Sequence, residues 1–188
     1  IFQAYEERFL FLLLLLRQPR ARLVYLTSQQ IHPSIVDYYL AQMPGVIPSH
    51  ARKRLFLLSP LDDSSRSLSA KLLADAGVKV GFMSGFAVSA ARLGLPDTGL
   101  ISFAEMCDTL RNCCAAAPDL PIIADGDTGY GEALNVMHMV RAFEDAGAGA
   151  VQIEDQLLPK KCGHLNDKKL ADADDMAAKV AAARKARR

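Results

Sequence analysis

The stretch "PIIADGDTGYGEALNVMHMVRAFEDAGAGAVQIED", residues 121–155, decides the fold class of this chain. It opens with a short apolar run, Pro121–Asp125, continues as an amphipathic helix over Glu132–Gly147 and closes with a second apolar run, Ala150–Asp155. Gly147 is typical of a helix end, because glycine readily adopts the left-handed conformation that follows a helix. Two short apolar runs joined by a helix indicate a β-α-β unit with parallel strands. The stretch therefore predicts an α/β fold.

The same alternation of strands and helices continues on both sides of this stretch. "KVGFMSG", Lys79–Gly85, is a predicted strand, and Ser102–Ala117 is a predicted helix with Ser102 as N-cap and Glu105 completing a capping box. A final helix, Asp172–Arg188, has its acids first and its bases last, which matches the helix dipole. Together these elements predict about three βα units of a parallel sheet. In such folds the chemistry lies at the C-terminal ends of the strands.

The first third of the chain is predicted to be a separate small α/β segment, residues 1–66, ahead of a second domain at 67–188. Its four predicted elements are a helix, a strand, a helix and a strand, at Phe9–Leu16, Arg22–Ser28, Pro33–Met43 and Lys53–Ser59. A polar seam, Leu61–Ser67, is predicted to separate the two parts.

The most apolar run, "FLFLLLLL" at Phe9–Leu16, raises the question of a membrane segment. Eight residues cannot cross a bilayer, which needs about 20. Acids precede the run and no small-residue cleavage site follows it closely, which argues against a signal peptide. The run is therefore predicted to be a buried helix.

Composition excludes some classes of function. The chain of 188 residues is 51% hydrophobic and 23% charged, which is typical of a soluble globular protein, and its net charge of +1 gives no sign of a nucleic-acid or membrane surface. Its four cysteines, at 107, 113, 114 and 162, lack the spacing of a zinc site. A reducing compartment such as the cytoplasm is expected.

Polar groups follow two of the predicted strands in a pattern that suits ligand binding. Ser84 and Gly85 are expected to offer a hydroxyl and free backbone amides to an anion. Asp125 and Asp127 are two residues apart, so in an extended chain their carboxylates point the same way and repel each other unless a cation or a proton lies between them. Mg²⁺ suits such a pair, because it takes one or two carboxylates and keeps several waters. The alternative is an ordinary strand-to-helix turn with acids at a helix N-terminus.

A third strand ends in another pair of acids, Glu154 and Asp155. Carboxylates at the end of a buried strand are costly without a partner. These two residues either join the same metal network or have a purely structural role.

The loop "LPKKCGHL", Leu158–Leu165, places a thiol between two lysines and a histidine. Lys160 and Lys161 would lower the pKa of the Cys162 thiol electrostatically. His164 would orient the site or relay a proton, although a loop histidine is also commonly just solvated. From chemistry alone, Cys162 is a catalytic acid, a metal ligand or a bystander in a basic surface loop.

Three quoted segments resemble one known family. "GFMSGFAVSAARLGLPDTGLISFAEM", "IIADGDTGYGEALNV" and "GAGAVQIEDQLLPKKCGH" are similar to the isocitrate lyase and phosphoenolpyruvate mutase superfamily, from about Leu68 to the C-terminus. The specificity lies in the combination of the "GLPD" segment, the DxD strand end and the "KKCGH" loop. The resemblance implies a partial (β/α)8 TIM barrel of about three βα units, usually assembled as a tetramer. It also implies Mg²⁺, with Mn²⁺ as a substitute, and a small di- or tricarboxylate substrate.

The resemblance also implies roles for residues at the strand ends. The implied catalytic residues are Cys162, Lys160 and Glu154. The implied substrate contacts are Ser84, Gly85, Phe86, Asp97, Gly163 and His164. The implied Mg²⁺ ligands are Asp125 directly, with Asp127 and Glu154 through waters. Cys162 would protonate the enolate-like carbanion left when a carbon–carbon bond breaks, while the metal stabilises the enolate oxygen.

The "KKCGH" loop also narrows the expected reaction. Phosphonomutase members of the superfamily lack this cysteine, so the loop favours carbon–carbon lyases acting on 2-methylisocitrate or dimethylmalate. The short spacing and the missing insertions argue against isocitrate lyase itself. The alternatives are a phosphonomutase-type member, or a catalytically inactive fusion fragment or interaction module. The compartment is expected to be cytoplasmic, or mitochondrial in a eukaryote.

Residues 1–66 depart from this superfamily. They have a weaker resemblance to the leading region of ATP-grasp carboxylate–amine ligases, and the opening strand of the barrel is not recognised before "LSAKLLADAG". The join to the later residues is therefore either a gene fusion or an artefact of sequence assembly.

Overall fold

A computed structural model of the chain describes residues 10–15, 23–27, 55–57, 63–162 and 165–188. The strands are β1 (Leu10–Leu15), β2 (Leu23–Thr27), β3 (Leu55–Leu57), β4 (Val80–Met83), β5 (Ile122–Asp125) and β6 (Ala150–Glu154). The helices are α1 (Asp63–Asp75), α2 (Gly85–Leu93), α3 (Phe103–Ala116), α4 (Ala133–Ala146) and α5 (Ala173–Ala186).

The described strands form one six-stranded sheet in the order β2-β1-β6-β5-β4-β3. From β3 to β6 neighbouring strands are parallel, with Leu57 opposite Phe82, Met83 opposite Ala124, and Asp125 opposite Gln152. The predicted α/β fold with a parallel sheet is confirmed. Because the strands are parallel, the C-terminal ends of β4, β5 and β6 meet at one edge of the sheet.

The prediction of a buried helix for the apolar run Phe9–Leu16 is wrong, because residues Leu10–Leu15 form strand β1. This strand is antiparallel both to β2 and to β6, so its backbone groups have hydrogen-bonding partners on both edges. An unbroken apolar run carries neither the 3.6-residue nor the 2-residue period, so it cannot distinguish a buried helix from a buried strand. Pairing with β2 and β6 determines that this run forms a strand.

The polar seam predicted at Leu61–Ser67 is also wrong in part, because helix α1 begins at Asp63. Serine and aspartate favour both loops and the first turn of a helix, and here "DSS" forms the first turn of α1. Helix α2 was missed altogether. Its end is nevertheless marked in the sequence by Gly94, which caps it with φ of 64°.

The other predicted elements agree with the structure. The strands predicted at Arg22–Ser28, Lys53–Ser59 and Lys79–Gly85 are present as β2, β3 and β4, and the predicted helices of residues 102–188 are α3, α4 and α5. The helix predicted at Pro33–Met43 lies outside the described residues. The division into domains 1–66 and 67–188 stays a prediction, although β1, β2 and β3 lie in the same sheet as the later strands.

Local sequence explains where the central helices begin and end. The amide of Glu105 donates to Ser102 Oγ at 3.3 Å and the amide of Ser102 donates to Glu105 Oε2 at 2.8 Å, which is the predicted capping box of α3. Helix α4 ends at Gly147, with φ of 106°. Both helices turn an apolar face inward, and the largest fully buried side chains are Phe143, Met83, Met106, Leu110, Ile122, Met139 and Ile153. Burial of side chains of this size contributes about 1.5–3 kcal/mol each and fixes the helices against the parallel strands.

No helix within the described ranges combines the length and the apolar character needed to cross a membrane.

Candidate functional site

The C-terminal edge of the parallel sheet carries a group of buried charged side chains. Asp125 ends β5, and Glu154 ends β6. Asp127 lies in the loop after β5, where its carbonyl accepts a hydrogen bond of 2.8 Å from the amide of Glu154. This backbone contact holds the loop after β5 against the end of β6. The two acidic segments singled out in the sequence are therefore neighbours in space.

The carboxylate of Asp125 is fixed by two backbone amides. Gly85 N donates to Oδ2 at 2.8 Å, and Asp127 N donates to Oδ1 at 2.9 Å. A β-carbon at position 85 would lie 3.1 Å from Oδ2, so glycine permits this close approach. Burial raises the pKa of Asp125, and Lys160 together with the two amides opposes that rise.

The contact with Asp125 corrects one expectation from the sequence. The amide of Gly85 was expected to be free for an anion, and it is engaged by the Asp125 carboxylate instead. Ser84 is the N-cap residue of α2, and its side chain makes no capping hydrogen bond. Phe86 is exposed on the first turn of the same helix. The substrate-binding roles of Ser84, Gly85 and Phe86 stay predictions.

Lys160 lies at the centre of the group. Its side chain is 1% exposed, and its Nζ is 2.9 Å from Asp97 Oδ1, 3.3 Å from Asp127 Oδ1 and 3.3 Å from Glu154 Oε1. Burial alone would lower the pKa of Lys160, but the surrounding carboxylates, Asp127 foremost, raise it above its usual value. The lysine is therefore charged. We call Lys160 and the four carboxylates around it, Asp97, Asp125, Asp127 and Glu154, the strand-end cluster.

One ammonium does not balance the acids of the strand-end cluster. Burial, with repulsion from Asp125, raises the pKa of Glu154 to about 8. Burial also raises the pKa of Asp127 to about 6, against the attraction of Lys160. With a pKa of about 8, Glu154 holds a proton near neutral pH unless another cation is supplied. Strongly shifted acids of this kind are frequent in functional sites.

Sequence reasoning missed Gln156, which ties the lysine loop to the cluster. This buried side chain donates from Nε2 to Glu154 Oε2 at 2.6 Å and to the carbonyl of Lys161 at 2.7 Å. Its Oε1 accepts from the amide of Lys161 at 3.0 Å. The sequence did contain a signal for this residue, since "IEDQ" places a glutamine two positions after Glu154. In an extended chain, side chains two residues apart point to the same side, so Gln156 is expected near the carboxylate of Glu154.

The remaining loop residues are described only in part. Cys162 is a partly buried free thiol, and its carbonyl accepts a hydrogen bond of 2.9 Å from the amide of Leu165. Gly163 and His164 lie outside the described residues. The structure thus places Lys160 in the cluster, and the catalytic role of Cys162 stays a prediction.

The donor set is suited to a hard divalent cation. Within the described residues, no three histidine, cysteine, aspartate or glutamate side chains are arranged around a common metal position. Asp97 Oδ1, Asp127 Oδ1 and Glu154 Oε1 nevertheless all lie within 3.3 Å of Lys160 Nζ, so carboxylate oxygens converge on one buried point. Carboxylate oxygens are the ligands that Mg²⁺ prefers. The residues present therefore fit Mg²⁺ chemically.

Comparison with known proteins gives a consistent result. The family model described as phosphoenolpyruvate phosphomutase matches residues 50–188. The chain is 41% identical over 174 residues to the chloroplastic carboxyvinyl-carboxyphosphonate phosphorylmutase of Arabidopsis thaliana, which covers 90% of this chain and 46% of that protein. It is 41% identical over 117 residues to 2,3-dimethylmalate lyase of Eubacterium barkeri, which covers 62% of this chain and 40% of that protein.

A solved structure agrees with these relatives. Phosphonopyruvate hydrolase in complex with oxalate and Mg²⁺ matches with a TM-score of 0.59 and 33% identity, over 72% of this chain and 44% of that one. The chain thus spans less than half the length of these relatives. The family match begins at residue 50, before the predicted boundary at 66, and the resemblance of residues 1–66 to ATP-grasp ligases stays a prediction.

Proposed function

Since the chain belongs to the phosphoenolpyruvate phosphomutase family, we propose that it is a Mg²⁺-dependent lyase that cleaves a carbon–carbon bond in a small 2-hydroxy di- or tricarboxylate. The substrate class we propose is 2-methylisocitrate-like or dimethylmalate-like, in line with the dimethylmalate lyase among its relatives and with the "KKCGH" loop. The family's fold is the (β/α)8 barrel, and β3–β6 with their helices are part of it.

The observation that carries this proposal is the strand-end cluster. Three buried carboxylates, Asp97, Asp127 and Glu154, lie within 3.3 Å of one ammonium, and burial together with repulsion from the neighbouring Asp125 raises the pKa of Glu154 to about 8. A divalent cation would offset that repulsion. The Mg²⁺ named in the solved structure of phosphonopyruvate hydrolase supports the same cation here.

The roles of the residues follow from this arrangement. Asp125 would hold Mg²⁺ directly, with Asp127 and Glu154 contributing through waters. The metal, when bound, supplies Lewis-acid stabilisation of negative charge on a substrate oxygen. Lys160 keeps Asp127 and Glu154 close together and adds positive charge beside the substrate carboxylates. Cys162 would give a proton to the product carbanion, or remove it in the reverse reaction.

The remaining proposals concern the substrate contacts, the cellular compartment and the oligomeric state. Asp97, Gly163 and His164 would contact the substrate, and Ser84 would do so through its hydroxyl. The free cysteines of the described structure are consistent with a reducing compartment, and we propose the cytoplasm, or the mitochondrion in a eukaryote. The whole protein is proposed to be a homo-oligomer, a tetramer as the resemblance implies.

Metal binding is tested by calorimetric titration of Mg²⁺ into the chain. Asp125→Asn is expected to weaken binding by about tenfold or more, because a neutral amide replaces the direct ligand. Asp119→Asn is the matched control, since Asp119 is an exposed aspartate in the loop before β5, at the opposite edge of the sheet. Equal affinities of Asp125→Asn and wild type would contradict the metal site.

Catalysis is tested with 2-methylisocitrate and 2,3-dimethylmalate as substrates. Cys162→Ser is expected to reduce turnover by about 100-fold or more, because a serine hydroxyl is a far weaker acid than a thiol. Cys114→Ser is the control, since Cys114 lies in helix α3 away from the strand ends. A chain that binds Mg²⁺ but turns over neither substrate would favour a catalytically inactive fragment or interaction module.

A phosphonomutase-type activity is the second candidate. A relative that covers 90% of this chain is named a phosphorylmutase, and that name favours a mutase reaction. Assay of phosphoenolpyruvate formation from phosphonopyruvate distinguishes the two candidates. Turnover of phosphonopyruvate that survives Cys162→Ser would favour the mutase over the lyase.

A further inference from the structure

A glycine to which no role has yet been assigned lies beside the lysine of the strand-end cluster. Gly99, in the "GLPDTG" segment, has φ of +73°, and a β-carbon at this position would lie 3.2 Å from Cγ and 3.8 Å from Cδ of Lys160. A contact of 3.2 Å is tight, so an added β-carbon would push the lysine stem by a few tenths of an ångström. Glycine at this position leaves the stem its present place.

The same segment lies beside both ends of the Lys160 side chain. Asp97 meets the ammonium at 2.9 Å, and two residues later Gly99 leaves open the space next to the methylene stem, where a β-carbon would lie 3.2 Å from Cγ. A lysine side chain has many rotamers, and fixing one of them costs conformational entropy. The ion pair with Asp97 and the space left by Gly99 together favour the rotamer that also reaches Asp127 and Glu154.

The segment cannot easily retreat from the lysine. At its start the buried Ser89 Oγ is 3.1 Å from the carbonyl of Leu95 and 3.2 Å from the carbonyl of Pro96, which anchors the segment to helix α2. At its end the capping box of Ser102 begins helix α3. A side chain added at Gly99 would therefore press on the stem of Lys160, which has to give by a few tenths of an ångström.

From these contacts we propose that Gly99 is a positioning residue: by lacking a side chain, it seats the stem of Lys160 so that the ammonium reaches Asp97, Asp127 and Glu154 together. A role of Lys160 in the reaction rests on the proposed function. The position of its side chain is a property of the folded chain, and it is testable without measuring turnover.

Backbone conformation alone is the competing explanation for glycine at position 99. Two other glycines separate the explanations, because Gly77 has φ of +77° and Gly94 has φ of +64°, and a β-carbon at either would meet nothing within 4 Å. Gly77→Ala and Gly94→Ala therefore carry the same backbone strain without touching a lysine. The difference between them and Gly99→Ala isolates the contact with Lys160.

The test is the chemical reactivity of individual lysines in the folded chain. Each variant is treated briefly with acetic anhydride under native conditions, and acetylation of Lys160 is measured by mass spectrometry relative to the exposed Lys185. Wild type, Gly77→Ala and Gly94→Ala are expected to show the same low ratio, because the ammonium stays buried. Gly99→Ala is expected to raise the ratio clearly above that of both control variants, because the shifted stem holds the ammonium less closely against its carboxylate partners and opens it to the reagent.

Each outcome decides the proposal. A low ratio in Gly99→Ala, equal to that of the two control variants, overturns it. If Gly99→Ala does not fold in buffer, the labelling is repeated in trimethylamine N-oxide, which favours the compact state of every variant. A Gly99→Ala chain that stays unfolded there, beside folded Gly77→Ala, assigns Gly99 to folding alone and also overturns the proposal. Loss of Mg²⁺ binding or turnover in wild type affects the proposed function and leaves this measurement unchanged.

Discussion

Two groups of ion pairs in this molecule have similar distances and opposite surroundings. In the strand-end cluster, Lys160 Nζ is 2.9 Å from Asp97 Oδ1 and the lysine side chain is 1% exposed. Between helices α2 and α3, Arg92 Nη1 is 3.1 Å from Asp108 Oδ2, with side chains 27% and 49% exposed. Water screens the second group and is excluded from the first.

The pKa values of Glu154 and Glu105, one from each group, are shifted in opposite directions. Burial raises the pKa of Glu154 in the strand-end cluster to about 8. In the exposed group, the hydrogen bonds of Ser102 lower the pKa of Glu105, with a smaller contribution from Arg92. The ionised form of a carboxyl group is thus disfavoured at the strand ends and favoured on the helices. Solvent access, more than distance, decides whether an ion pair is suited to binding a further cation.

The largest expected effect is that of Lys160→Met. This change leaves buried carboxylates without their cation, and loss of one member of a buried pair typically costs about 3–5 kcal/mol of unfolding free energy. Urea denaturation followed by circular dichroism at pH 7 measures it. Lys161→Met is the control in the same loop, where the ammonium contacts only a surface carbonyl, that of Asn166, among its described hydrogen bonds. A similar small loss in both variants would remove the contrast between the two groups.

The second prediction concerns pH in the absence of divalent cations. The pKa of Glu154 is about 8 in the folded chain against an ordinary 4.5, and that of Asp127 is about 6 against 3.8. The folded state therefore binds protons more tightly, so the stabilisation is fully present below about pH 4 and is lost as pH rises to 8. We expect the unfolding free energy to fall steadily across this window.

Urea denaturation at a series of pH values measures that fall. Glu154→Gln cannot ionise, so it should remove most of the decline between pH 6 and 8, where Glu154 dominates. Addition of Mg²⁺ should also flatten the curve, because a bound cation replaces the protons. Stability that rises with pH over this range would contradict the deficit of positive charge at the strand ends.

A smaller effect is expected at the start of helix α3. Ser102→Ala removes the side chain that accepts from the amide of Glu105 and bonds its carboxylate at 2.6 Å. Loss of a serine N-cap typically costs about 1 kcal/mol. Thermal denaturation measures the cost, with Ser102→Thr as the conservative variant that should retain most of the stability. A cost as large as that of Lys160→Met would show that the exposed group matters as much as the buried one.

The smallest effect is expected for Asp108→Asn, which removes a partner of Arg92. An exposed ion pair contributes less than about 1 kcal/mol, and Arg92 keeps contacts with Glu105 and Thr109. The loss should shrink further when sodium chloride is added, because salt screens exposed charges. Denaturation at low and high salt checks this, and a loss that salt does not change would indicate that the pair is less exposed than its geometry shows.

Local patterns in the sequence were sufficient for much of the fold. The Ser102–Glu105 capping box, the glycine at 147 and the alternation of strands with helices predicted α3, α4 and the parallel sheet, because each depends on contacts within a few residues. The run Leu10–Leu15 was assigned wrongly, because its structure depends on pairing with strands that are distant in sequence. Helix α2 was missed because a nine-residue helix gives a weak periodic signal.

The sequence predicted which residues belong to the candidate site, but it did not predict which of them contact one another. Asp97, Asp125, Asp127, Glu154 and Lys160 were all named from the sequence, and the structure brings them together. Their catalytic, substrate-binding and metal roles stay predictions. The sequence could not show that the Gly85 amide is engaged by Asp125, because that hydrogen bond joins residues 40 positions apart.

By itself, then, the sequence determined most of the elements, the parallel direction of the main strands and the acidic residues that follow them, because these depend on local propensity and on the geometry common to α/β folds. Tertiary structure alone decided which acids share Lys160, how far their pKa values rise, and that Gln156 and Gly99 hold the lysine loop in place. The physical reason is that desolvation and Coulomb energy depend on distances and burial across the fold, and neither quantity is written in the spacing of residues along the chain.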